Sequence, residues 1–141
     1  MSAARDPYRD TENLRWELLG NCVFEDAQML FEFRDAVRAH FPELDASACA
    51  QLTTQLVRDL LASDLVYLHR RDLDGSERVL TRSDIDAVFA SHAWTRAPGS
   101  GELVEVWIAA TAAGEAAAND PPDHIRELWQ WPPPPWRPAE S

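Results

Sequence analysis

The chain has 141 residues, with 24 acidic and 13 basic side chains and a net charge of −11; every base is Arg. At 45% apolar residues it is too hydrophobic to stay disordered. Chains of this size bury about two thirds of their unfolded surface in one domain without staples, and the acidic balance argues against general binding to phosphate backbones, which needs clustered bases.

Asp10 or Thr11 can cap a first helix over about 12–22, with Leu14, Leu18, Leu19 and Cys22 on one face and Trp16 off it. Gly20 and Asn21 weaken its end, and Val23-Phe24 reads as a short extended piece. Asp26 can cap a second helix over about 27–41, whose Leu30, Phe33, Val37 and Phe41 form a buried stripe before Pro42 stops it. Phe31 lies off that stripe, beside Arg34 and Arg38. Asp45 or Ser47 opens a third helix over about 47–62, with Leu52, Leu56, Val57 and Leu60 inward. Its outward face carries Gln51, Thr54, Gln55 and Arg58.

The period then changes to that of a strand at Leu65–Arg70, followed by a turn at Asp72–Gly75 and a brief pairing segment at 78–81. Ser83 with Asp86 reads as a capping box for a helix over about 84–92, with Ile85, Val88 and Phe89 inward. Pro98–Gly101 is a turn, Leu103–Ile108 a second clear strand, and Thr111 caps a helix through Ala112–Ala118. From 119 the composition shifts: seven of the ten prolines fall in 121–141, where a short helix around His124–Trp129 precedes WQWPPPPWRPAES. That last stretch reads as polyproline II carrying Trp129, Trp131 and Trp136. The division expected is an extension at 1–10, a domain at 11–118 and a tail at 119–141.

The charge is uneven. Residues 1–64 hold 6 Arg and 12 acids, residues 65–100 hold 5 of each, and residues 101–141 hold 2 Arg and 7 acids. Cys22 and Cys49 fall on helical apolar faces and read as buried free thiols. The first residues lack an apolar signal core and no run is long enough to span a membrane, so the cytoplasm is expected.

Three helices, a strand, an insertion, a second strand and a small-residue helix follow the order of a winged helix-turn-helix. The stretch EVWIAATAAGEAAA resembles the last wing strand of that superfamily, where a Thr near the strand end and a Gly three residues on introduce the next helix; Thr111 and Gly114 stand there. The resemblance covers about 11–118 and is shared with uncharacterised small proteins of high-GC bacteria. It implies an α+β fold, mostly α: a winged-helix-like three-helix core, a small β-wing with a helical insertion, and the Pro/Trp-rich tail. In DNA-binding members the third helix enters the major groove and the wing touches the backbone. The matching residues would be Gln51, Thr54, Gln55 and Arg58, with Arg70 and Arg71 in the wing. However, Arg70, Arg71, Arg78, Arg82 and Arg96 are matched in number by Asp72, Asp74, Glu77, Asp84 and Asp86, so nucleic acid is disfavoured.

Catalytic motifs fare poorly. Asp72-Leu73-Asp74-Gly75-Ser76 resembles the nucleophile loop of haloacid-dehalogenase phosphatases, but His69, Arg70 and Arg71 precede it and no Lys exists for the family's cationic motif. A polar turn explains it. Its Gly falls too early for an EF-hand, and the four His and two Cys lack zinc spacing. No enzyme, cofactor or metal is expected.

What exceeds the needs of a small core is the acidic surplus and the tail. Trp is enriched at binding hot spots, and proline-rich segments lose little entropy on docking. The expected function is therefore a non-enzymatic acidic module that binds and regulates or neutralises a basic partner protein, in the manner of an immunity protein or antitoxin. Trp129, Trp131 and Trp136 would be apolar anchors, with Phe31 nearby and Glu25, Asp26, Glu32 and Asp35 supplying charge. The alternatives are a tail packed on its own domain, a homodimer, or a winged-helix transcriptional regulator.

Overall fold

The computed structural model of the chain describes residues 6–25, 27–71, 74–91, 94 and 105–130. Asp26, Trp131, Trp136 and the turn expected at 98–101 lie outside them. After a single 3-10 turn at Pro7–Arg9, the elements are α1 (Thr11–Phe24), β1 (Gln28–Met29), α2 (Leu30–His40), α3 (Ala46–Ala62), β2 (Val66–Arg71) and β3 (Glu77–Val79). Then follow α4 (Arg82–Ala90), β4 (Glu105–Ala110), α5 (Ala112–Asn119) and α6 (Asp123–Gln130). The fold is α+β and mostly α, with one antiparallel four-stranded sheet in the order β1-β4-β2-β3 among the described residues.

Most of the core is the one the periodicities point to, although Phe41 and Leu52, expected inward, are only half-buried. Leu14, Leu18 and Leu19 of α1, Phe33 and Val37 of α2, and Leu56, Val57 and Leu60 of α3 are buried. Val66 and Leu68 of β2 and Ile108 of β4 close the cluster from the inner face of the sheet. Two caps fall where expected. The Asp10 carboxylate accepts from the N–H groups of Glu12 and Asn13 at 2.9 and 3.2 Å, and Asp45 accepts from Ala48 N–H at 2.7 Å.

Three local expectations are corrected. Val23 and Phe24 continue α1, because nothing there breaks the helix before Glu25. Asp26 does not cap α2: a two-residue strand intervenes, and the helix starts at Leu30, with the Glu32 carboxylate accepting from Met29 N–H at 2.9 Å. The capping pair of α4 is Thr81 with Asp84, two residues before Ser83 and Asp86. Asp84 has two uses there, accepting from Thr81 N–H at 3.1 Å and from Arg78 at 2.9 Å, whereas Asp86 is taken by Arg58. Trp16, off the α1 stripe, still packs on the core, because α6 returns over it.

The turn from α3 into β2 packs closely against the start of α5. Asp64 takes a left-handed φ of 57°, letting Leu65 N–H reach back to Leu60 O and Asp64 N–H to Leu61 O at 3.0 Å each. Thr111 docks on this corner. Its N–H donates to Leu65 O at 3.0 Å, its hydroxyl donates to Asp64 O at 2.6 Å, and its Oγ1 accepts from Gly114 N–H at 3.0 Å. A Cβ on Gly114 would stand 2.0 Å from Leu65 O, so only glycine allows the first turn of α5 to lie against that carbonyl.

Both ends of the described chain belong to the body. Residues 6–10, expected as extension, clasp the end of α2: Arg9 donates to both Glu43 oxygens at 3.0 and 2.7 Å and to His40 O at 2.8 Å. At the other end, α6 lies within the stretch expected as tail, yet its Ile125 is fully buried. Trp129 rests against Gly20 of α1, 3.2 Å from where a Cβ would sit.

Candidate functional site

The residues expected to read DNA are gathered, but their charges are spent. Gln51, Gln55 and Arg58 are exposed on α3, with Thr54 half-buried. The Gln55 amide donates to Asp59 at 2.9 Å, and the Thr54 hydroxyl is turned back onto Ala50 O at 2.8 Å. Arg58 meets Asp86 of α4 at 3.0 Å and lies over the Phe89 ring at 5.0 Å. In the sheet, Arg71 pairs with Glu77 at 2.8 Å and with Glu105 at 3.6 Å. Arg70, half-buried on β2, sits opposite Arg78 and Val106. Arg78 holds Asp84 at 2.9 Å. Within the stretch 65–100, Arg71–Glu77 and Arg78–Asp84 are discrete pairs, and Asp86 is held by Arg58 from α3.

Of the residues expected to hold a protein partner, Asp26, Trp131 and Trp136 lie outside the described residues, and several of the others are engaged within the chain's own fold. Trp129 meets Trp16 and Phe24 edge-on, with centroids at 6.3 and 5.9 Å, so this indole packs on its own domain. Phe31 is half-buried on α2. Glu25, Glu32 and Asp35 are exposed, but Glu32 caps α2 and Asp35 pairs with Arg34 at 3.1 Å. Phe24, 58% exposed, stands beside Trp129.

The sequence reading missed the outer face of the sheet. Register places Met29, Trp107, His69 and Val79 in one row across all four strands: Met29 faces Trp107, Trp107 faces His69, and His69 faces Val79. His69 stacks on Trp107 with centroids 6.4 Å apart and planes at 20°, and Tyr67 sits 5.8 Å from His69 on its other side. Val79 is 62% exposed and Tyr67 37%. Beside this row runs a charged one, Glu105–Arg71–Glu77, in which the Arg71 guanidinium lies 5.1 Å from the Trp107 ring and the Trp107 indole N–H donates to Glu105 at 3.0 Å. Burial holds His69 below its ordinary value; Glu77 opposes this and Arg71 adds to it. Burial thus favours the neutral ring, and the row is apolar with two aromatic rings at its centre. Alternation in VYLHRR and EVWIAA was the available signal, but the two strands read separately do not show that their outward residues align.

A second cluster is structural in its geometry. His40 faces Asp6 through Nδ1 at 2.6 Å and Glu17 through Nε2 at 2.8 Å, with the Tyr8 ring 5.2 Å away. Burial raises Glu17 above the usual carboxylate range, His40 opposing. Burial also acts to raise Asp6, but the His40 and Tyr8 hydrogen bonds prevail and hold it low. Burial, reinforced by Glu17 and Asp6, pushes the Tyr8 hydroxyl to about 12. Together these groups tie the 3-10 turn to α1 and α2. In the phosphatase-like loop, Asp74 accepts from Ser76 N–H at 2.9 Å and Ser76 Oγ at 2.6 Å, and Gly75 takes a φ of 86°. That is the bonding of a polar turn; Asp72 lies outside the described residues. Among the described residues no group of three His, Cys, Asp or Glu is placed to hold a metal ion, and no helix is long and apolar enough to cross a membrane.

No protein-family model, curated protein or solved structure matches the chain.

Proposed function

We propose that the chain is a winged-helix-like, acidic, non-enzymatic module that binds a partner protein through the outer face of its sheet and regulates or neutralises that partner. The observation that carries this reading is the row Met29–Trp107–His69–Val79, which crosses four strands with a stacked Trp107–His69 pair at its centre and no covering layer among the described residues. Aromatic residues that are partly exposed and held rigid by stacking give contact area at low entropic cost. The strand order β1-β4-β2 and the Thr111–Gly114 turn support the winged-helix part. The charge of −11 supports a basic partner, since complementary charge speeds encounter and restricts orientation.

DNA is the weaker reading, because Arg58, Arg71 and Arg78 would each have to leave a carboxylate before meeting a phosphate. Affinity capture with the intact chain tests the choice. The expected result is one dominant basic protein, released by salt and lost with Trp107→Ala or Tyr67→Ala. Retention of specific duplex DNA at low salt, abolished by Gln55→Ala with Arg58→Ala, would overturn it in favour of a transcriptional regulator.

A further inference from the structure

The outer aromatic row has a fitting occupant in the chain's own sequence. Residues 131–141, WPPPPWRPAES, lie outside the described residues and hold two Trp and five Pro. Proline-rich segments in polyproline II dock on surfaces lined by Trp and Tyr, because their rings pack flat on aromatic faces and they are already extended. We propose that residues 131–141 dock across the outer face of the sheet of the same molecule, along the row Met29–Trp107–His69–Val79. This rests on the reading of that face as a docking surface and names the occupant of the face in the free chain.

Placement and length agree. The segment leaves α6 just after Trp129, which touches Phe24 at the end of α1. From Phe24 the chain needs five residues, at most about 17 Å, to reach Met29 at the edge of the sheet. Trp107 is one strand further, about 4.8 Å. Eleven residues of polyproline II run about 34 Å, enough to cross the edge and lie over the row. Proline has no N–H, so the segment suits lying across a face more than pairing with an edge.

A nitroxide spin label on Ala139→Cys of the intact chain tests the proposal. Cys22 and Cys49 are buried, so the new thiol takes the label. The expected result is loss of the amide signals of Tyr67, His69 and Trp107 in nuclear magnetic resonance spectra, with those of Gln51 and Gln55 on α3 retained. Signal loss centred on α3, or nowhere in the sheet, would overturn the proposal. So would equal loss when a labelled, unenriched copy is mixed with an unlabelled, isotope-enriched one, since the occupant would then be a second copy. The capture experiment on Trp107→Ala reads the partner separately, so a tail absent from the face leaves the function proposed above standing.

Discussion

Replacing Gly114 by Ala sets two known effects against each other. Gly114 lies in the first turn of α5, and helix propensity alone favours Ala by up to about 1 kcal/mol. The added Cβ would stand 2.0 Å from Leu65 O and 3.0 Å from Leu65 C. Both are backbone atoms and cannot rotate away, so α5 must lift by more than about 1 Å to restore contact distance. The lift strains or breaks the bonds from Thr111 to Leu65 O and Asp64 O, each worth about 1 kcal/mol net. Overpacking adds about 1–3 kcal/mol. The net expectation is a loss of about 2–4 kcal/mol, or about 6–12 °C in Tm for a chain of this size. Urea denaturation followed by far-ultraviolet circular dichroism, with an unchanged slope, measures it. Gly20→Ala is the control. Its Cβ would meet only the Trp129 indole, at 3.2 Å, and should cost at least about 2 kcal/mol less. A Gly114→Ala chain as stable as wild type would refute the docking of α5 on the α3–β2 corner.

Three further outcomes follow from other parts of the fold. Ile125→Ala should cost about 2–4 kcal/mol in the same urea assay, because its side chain is fully buried; an unchanged midpoint would show α6 to be a detachable tail. Burial pushes the Cys22 thiol up to about 12, so a thiol-specific reagent at pH 8 should leave it unmodified in the folded chain and react once urea unfolds it. Rapid labelling of Cys22 in the native chain would contradict this. The Asp84 carboxylate is held at about 2, below its ordinary 3.8, by the Thr81 N–H and the Arg78 and Thr81 side chains. A depressed carboxylate contributes stability present above 3.8 and lost as pH falls through about 2. The stability gap between wild type and Asp84→Asn should therefore narrow over that window, and a gap constant with pH would argue against the pairing.

Much of the fold was legible because local rules decided it. Helical spacing marked Leu14–Leu18–Leu19, Phe33–Val37 and Leu56–Leu60 as core, and all are buried. Asp10, Asp45 and Thr111 have the short oxygen side chains that cap helices, and each caps one. Thr111 and Gly114 could be singled out together from one line of sequence. The reason Gly114 must be glycine could not, since Leu65 is 49 residues away and only the docking of two backbones brings it within reach.

Boundaries and sites depended on partners distant in sequence. Asp84 and Asp86 look equivalent as candidate caps; Arg58, on a different helix, takes Asp86. Trp129 read as a partner's anchor, and the fold gives it a seat on Gly20 between Trp16 and Phe24. The outer row of the sheet lies furthest from sequence reading. Alternation shows that Tyr67 and His69 share a face of one strand, and Glu105 and Trp107 a face of another. Antiparallel register alone sets Trp107 between Met29 and His69, because a slip of one residue would send it to the opposite face. Composition and periodicity determined the helical core and its caps, which need only neighbours within a few residues. Tertiary structure decided which charges are spent and which aromatics stand together on the surface, because those depend on pairings between residues far apart in the chain.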